Sequence, residues 1–192
     1  MFTLTQEDVR ACFNAKADKI QEFYPYLQET CLKYQINTPA RVAAFFAQIA
    51  IESLDLTYTC ECATGDTYSH RKDLGNTLPE AIAAYNKAVI NGFEGTIGAF
   101  YKGHGLMQTT GYYNHCKLGE ALGIDLVNHP ELLETPEWAC KSAGWFWSTK
   151  NLNSFADVGE FGKITYIING GYNEAELRLK RFIANKKILG TV

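Results

Sequence analysis

Residues 38–54 constrain the fold of this chain more than any other stretch. Thr38 is a good N-cap, Pro39 suits a first helical turn, and an Ala- and Phe-rich run follows with Val42, Phe45, Phe46 and Ile49 at helical spacing. This is the clearest helix in the sequence, running to about Leu54. Glu52 falls on the same face as Phe45 and Ile49, near the C-terminal end. A carboxylate on an apolar face, at the end where the helix dipole disfavours negative charge, is costly to ionise. That suits a general acid working near neutral pH. Periodicity alone leaves open the plainer reading, a Glu that closes the helix and reaches solvent.

Other helices are expected around it. One begins near Thr5, whose hydroxyl caps the free amides, and carries Val9, Cys12 and Phe13; a second spans about Asp18 to Tyr34, kinked or divided at Pro25. Residues 58–77 turn irregular, with at most a small β-element near 56–70. Helices are expected again at Pro79 to Ile90, closed by Asn91 and Gly92, then near Gly111 to Leu122, Thr135 to Thr149, Val158 to Asn169 and Asn173 to Lys187. Gly92 to Gly105 reads as a loop. No repeat, linker or low-complexity segment separates these pieces, so residues 1–192 read as a single domain of the mainly α class, long enough to bury roughly two-thirds of its unfolded surface.

A net charge of −3 gives no electrostatic footprint for nucleic acid. No stretch approaches the ~20 consecutive apolar residues of a membrane span, and the first residues lack the pattern of a signal peptide. The 11 Tyr, 11 Phe and 3 Trp are a rich aromatic supply, with core the first expectation for Trp138, Trp145 and Trp147, and sugar stacking for Tyr101 and Tyr112. Six cysteines are expected as reduced thiols. Cys60 and Cys62 are too close for a zinc knuckle, and His104 has no His or carboxylate at ligand spacing, so neither a metal site nor a cofactor is expected. His115 and Cys116, adjacent on a helix, point about 100° apart and do not read as a nucleophile and its base.

Hydrolysis of a glycosidic bond by two carboxylates needs a second one, about 6.5–9.5 Å from the first when a water stands between them. Glu61 in the irregular segment is the first candidate; Asp55, Asp66 and Glu94 compete.

The string FFAQIAIES at 45–53 resembles the helix of family 19 glycoside hydrolases, plant-type chitinases and phage endolysins, that ends in the catalytic acid. YKGHGLMQTTG at 101–111 is similar to that family's glycine-rich segment. RKDLGNT at 71–77, EALGIDLVN at 120–128 and PELLETP at 130–136 resemble the endolysin branch, and SAGWFW at 142–147 and INGG at 168–171 complete an ordered set over about residues 40–190.

The resemblance implies a lysozyme-like bundle of about eight to ten helices in two lobes around a cleft. It implies Glu52 as general acid, Glu61 as general base and Thr110 as the hydroxyl that positions the attacking water. Gln108, Asn114 and Asn169 fall on substrate-binding or site-ordering positions. Arg178 matches an arginine that supports the acidic pair, holding Glu61 ionised. Two positions depart from the pattern: Ile51 stands where the family carries a histidine, and His104 where it carries an arginine, so the sugar is bound differently there. The segment between Thr77 and Tyr101 is an insertion relative to typical endolysins.

The expectation is an inverting hydrolase of β-1,4 bonds in a polymer carrying N-acetylglucosamine. Peptidoglycan is the first substrate, attacked by a monomer released from the cell that made it, as in host lysis; chitin is the alternative, and a non-catalytic wall-binding module a third.

Overall fold

The computed structural model describes residues 2–191, which form ten α-helices and three short 3-10 turns among them. Two compact units divide the chain: residues up to Thr57 together with those from Ala143 onward, and Tyr58–Ser142.

The first unit is built on the helix foreseen at Thr38. It spans Pro39–Glu52 (α3), and Thr38 Oγ1 accepts the Arg41 amide at 3.3 Å. Every residue from Val42 to Ala50 is buried. Phe46 meets Phe13 at 4.9 Å between ring centroids, and Phe45 meets Trp147 edge-on at 5.2 Å. Around α3 lie Gln6–Cys12 (α1) and Ala17–Lys33 (α2). The C-terminal part of Pro136–Thr149 (α7), Leu152–Asp157 (α8), Phe161–Asn169 (α9) and Ala175–Ile188 (α10) complete this unit. The helix packed most extensively on α3 is α10, and Asn185 Nδ2 of α10 donates to the Ala43 carbonyl at 3.2 Å. Trp147 is a core residue, its indole N–H bonded to Asn153 Oδ1 at 2.8 Å.

Two boundaries differ from the sequence reading. Pro25 neither divides nor ends α2, because it sits on the exposed face while Phe23, Leu27, Thr30 and Cys31 hold the other face in the core. The helix expected over Val158–Asn169 starts later, at Phe161, and the short helix α8 before it was not expected. Gly159, at φ +75°, breaks the path between α8 and α9.

The second unit contains Pro79–Ile90 (α4), Ile97–Phe100 (α5), Tyr112–Leu122 (α6) and the start of α7, with 3-10 turns at Asp66–Tyr68, Lys72–Leu74 and Pro130–Glu134. The α4 bounds are those read from Pro79 and Asn91, whereas the loop expected over 92–105 contains α5. Ala81, Phe100 and Tyr101 form a small core covered by Leu78, Tyr85, Ala88, Phe93, Ile97 and Tyr112. The β-element shrinks to isolated bridges that join Cys60 to His104 and His104 to Thr109; no strand forms among the described residues. No disulfide forms among them either, and no helix is long and apolar enough to cross a membrane.

Candidate active site

Glu52 is the last residue of α3, with its side chain 19% exposed. Arg178 of α10 lies against it: the guanidinium Nη2 is 2.6 Å from Glu52 Oε1, and the arginine side chain is only 2% exposed. A second arm of the guanidinium, Nη1, donates to Gln48 Oε1 at 2.7 Å, and Gln48 Nε2 donates to Thr165 Oγ1 at 2.9 Å. Gln48 precedes Glu52 by one helical turn on the same face, so the polar line Thr165, Gln48, Arg178, Glu52 crosses an otherwise apolar helix.

The expected division of labour is corrected here. Arg178, expected to hold Glu61 ionised, pairs with Glu52 instead. It is also too buried to be a sugar contact. The ion pair is close but poorly aligned, for Glu52 Oε1 and Arg178 Nε both lack a hydrogen-bond partner, as does Asn169 Oδ1. Three of the four buried side-chain atoms without such a partner among the described residues therefore sit on residues singled out from the sequence. Buried polar atoms are nearly always satisfied, and exceptions gather at sites where a ligand or water completes the set.

Immediately after α3 the backbone turns left-handed for three successive residues, Leu54, Asp55 and Leu56, at φ +48°, +53° and +64°. The turn is clamped. Ser53 Oγ accepts the Leu56 amide at 2.9 Å and donates to the Ile49 carbonyl at 2.6 Å, while Asp55 accepts the Asn14 amide and pairs with Arg181. Asp55 is thereby a structural residue.

In the second unit Glu61 is half-buried, and each of its carboxylate oxygens accepts one bond. Tyr68 donates its hydroxyl to Oε1 at 3.0 Å, and the Gly103 amide donates to Oε2 at 3.1 Å. Burial first, and then the neighbouring Glu61, pushes the Tyr68 hydroxyl up, so it remains a donor. Tyr68 is in turn held through Asn76, whose Nδ2 donates to the Tyr68 carbonyl and whose Oδ1 accepts the Tyr112 amide at the start of α6. The main chain of Glu61 also bonds Gly103 (N to O, 2.8 Å). A Cβ at Gly103 would stand 2.5 Å from Gln108 Oε1, so glycine here lets the Gln108 amide lie against the segment without shifting.

Gln108 itself holds φ +52°, with its amide donating to the Gly105 carbonyl at 3.0 Å. Thr110 donates its hydroxyl to the Gln108 carbonyl at 3.0 Å, which leaves the oxygen lone pairs free to accept from a water. Asn114 donates to the Thr110 carbonyl at 2.7 Å and so orders that residue.

Two further expectations change. Tyr101 is fully buried, its hydroxyl bonded to the Val127 carbonyl at 2.7 Å, so it is a core residue and offers no face to a sugar. His104, 4% exposed, is likewise no direct sugar contact through an open face. Its main chain ties the segment together, exchanging N–H to O bonds with Thr109, while its ring faces His115 at 3.2 Å. Burial first, then the opposing histidine, lowers His104 to about 3, and burial lowers His115 to about 4, so both rings are neutral. Cys116 points elsewhere, to Glu120 at 3.7 Å. Among the competing carboxylates, Asp66 accepts from Thr96 at 2.7 Å and is held low by that bond and one from Thr64; Glu94 is exposed.

Gln48 and Tyr68 were missed from sequence. The signal for Gln48 was present, a lone amide in an apolar helix one turn before the acid. Tyr68 carried none, since only folding brings it to Glu61.

A family model described as chitinase class I matches residues 29–158. Endochitinase 1 of Theobroma cacao is 39% identical over 94 residues, covering 38% of this chain and 29% of that protein. Acidic endochitinase SP2 of Beta vulgaris is 32% identical over 130 residues, covering 67% and 40%. The chain thus spans less than half the length of these curated relatives. Among solved structures, chitinase C from Streptomyces griseus HUT6037 superposes with a TM-score of 0.76 at 24% identity, over 100% of this chain and 78% of that one. A bacterial family 19 chitinase gives 0.77 at 22%, over 100% and 97%. At such identity the two superpositions speak for the mainly helical fold, as expected.

Proposed function

The chain belongs to the class I chitinase family, family 19 of the glycoside hydrolases, and on that premise we propose that it hydrolyses β-1,4 bonds of an N-acetylglucosamine polymer with inversion. Glu52 protonates the leaving oxygen, Glu61 acts as the base, and Thr110 orients the water. The observation that carries the reading is the Glu52–Arg178–Gln48 line. It is a carboxylate at the end of a buried helix, held by a guanidinium, with acceptor and donor atoms left unsatisfied. Such a network is costly in a core and is retained where chemistry uses it.

Chitin is the substrate first supported, because the relatives bear the name endochitinase. A second reading, peptidoglycan, has its support in the endolysin-like strings at 71–77, 120–128 and 130–136, and would have the enzyme act on a cell wall after release. Reducing-sugar release from colloidal chitin and turbidity loss of purified peptidoglycan, run in parallel for wild type and Glu52→Gln, decide between them. Activity on one polymer that disappears in the variant assigns the substrate. Silence of the wild type on both, with binding retained, would replace catalysis by a wall-binding role.

A further inference from the structure

We propose that Cys60, His104 and Glu134 form a binding site for a zinc-like divalent metal ion within the Tyr58–Ser142 unit, separate from Glu52 and Glu61. One donor atom from each residue, the thiol sulfur, a ring nitrogen and a carboxylate oxygen, lies within 4.8 Å of the other two. Thiolate, imidazole and carboxylate together are a zinc donor set. The inference does not rest on the hydrolase reading, since it uses none of that reaction's residues.

Hydrogen-bond directions around His104 point to a cation. His115 Nδ1 is 2.9 Å from the Gly111 carbonyl, which only accepts, so this nitrogen carries the proton. His115 Nε2 is then the acceptor, and His104 Nδ1, 3.2 Å away, must be the donor. That leaves His104 Nε2 as a bare lone pair. It faces Glu134 Oε1 at 3.4 Å, one acceptor against another. A metal ion resolves the opposition: nitrogen and oxygen ligands each about 2.0–2.2 Å from a tetrahedral ion stand roughly 3.3–3.6 Å apart. The Nδ1 hydrogen bond to His115 is the kind of second contact that fixes the tautomer of a ligating histidine.

The backbone holds the three residues together before any ion arrives. Cys60 and His104 share a β-bridge, the Gly105 amide donates to the Thr59 carbonyl at 2.7 Å, and Thr59 Oγ1 donates to the Glu134 carbonyl at 2.8 Å. All three side chains line one pocket of about 540 Å³, together with Lys102, Asn128 and His129, and α4 supplies Ala88 to its wall. Three protein ligands leave a fourth position directed into that pocket, the pattern of a site that takes water or an exogenous ligand. Lys102 is the competing cation: its side chain hydrogen-bonds Cys60 and its Nζ reaches the Ala63 carbonyl at 3.5 Å, so an ion has to displace it from the thiol.

The test is a Co²⁺ titration of the full chain, stripped with chelator and kept reduced, read by absorption. A tetrahedral cobalt–thiolate site gives a sulfur-to-cobalt charge-transfer band and intense visible bands, both erased by added Zn²⁺. Cys60→Ser should abolish the charge-transfer band. Glu134→Gln, at a half-exposed side chain, removes a direct ligand and should weaken Co²⁺ affinity by at least the roughly 10-fold that loss of even an outer-shell partner costs. Cys62→Ser, two residues after Cys60, should leave the titration unchanged; circular dichroism checks the fold of each variant. No band in the wild type would overturn the proposal and leave a protonated thiol hydrogen-bonded to Glu134. So would a band that survives both Cys60→Ser and Glu134→Gln, or one lost in Cys62→Ser.

Discussion

At the scale of single residues, the central pair is Glu52 and Arg178. The guanidinium binds both the acid and Gln48, so removing it leaves a buried amide and a largely buried carboxylate without their cation. Breaking one side of such a pair costs about 3–5 kcal/mol. Arg178→Ala is therefore expected to lose about 3–5 kcal/mol in a denaturant titration, a large share of a typical domain's stability, and a loss below about 1 kcal/mol would contradict the pairing. Glu52→Gln keeps the shape of the side chain and removes its proton. The expected result is a folded protein whose kcat falls by at least about 100-fold, the lower end of a general acid's contribution. Glu52 was legible as a candidate because helical spacing puts it on the face of Phe45 and Ile49, and the resemblance of residues 45–53 to the family's helix made it the acid. Arg178 was legible only through the family resemblance, and its pairing with Glu52 was not, because it arrives from 126 residues away through the packing of α10 on α3 and no periodicity reports such a contact. The same holds for Tyr101, whose flanking glycines suggested an open segment while the α4 insertion buries it.

At the scale of elements, the turn after α3 is the feature to probe. Three consecutive left-handed residues cost on the order of 1–2 kcal/mol each for side chains with a Cβ. Asp55 and Leu56 are repaid by buried contacts, but Leu54 is 62% exposed. Leu54→Gly should relieve its strain and raise stability by about 0.5–1 kcal/mol after glycine's own entropy, measured by the denaturant midpoint; a fall of that size would contradict the strain. Gly103→Ala has the opposite expectation. Its Cβ would push Gln108 and with it the Thr110 segment, so activity should fall more than stability. Helix ends such as Thr38 and Pro39, or Pro79 with Asn91, were readable because caps and prolines act locally. The short helix α8 was not foreseen, and α9 was expected to start at Val158 although Gly159 speaks against a helix running through that position.

At the scale of the whole molecule, buried neutral histidines make stability depend on pH. His104 and His115 fall from 6.5 to about 3 and about 4 in the folded chain. The unfolded chain therefore takes up protons that the folded chain refuses as pH drops below about 6.5. Their contribution is fully present above that value and is lost as pH falls toward 4, with a slope of up to about 1.4 kcal/mol per pH unit for each ring. Denaturant titrations in chelator at pH 7, 6 and 5 should show that decline, and His115→Asn should flatten it. Little of this was legible beforehand, because His104 and His115 meet only after the turn at Gly105 to Gly111 closes.

The measurement that bears most directly on the account is the anomeric configuration of the first product, followed by proton NMR as the wild-type chain cleaves an N-acetylglucosamine oligosaccharide. Glu52 as acid and Glu61 as base, with a water between them, predict that the α-anomer appears first and equilibrates later, and that Glu52→Gln yields neither anomer. A β-anomer appearing first, or undiminished turnover in Glu52→Gln, would contradict the assignment of these two carboxylates.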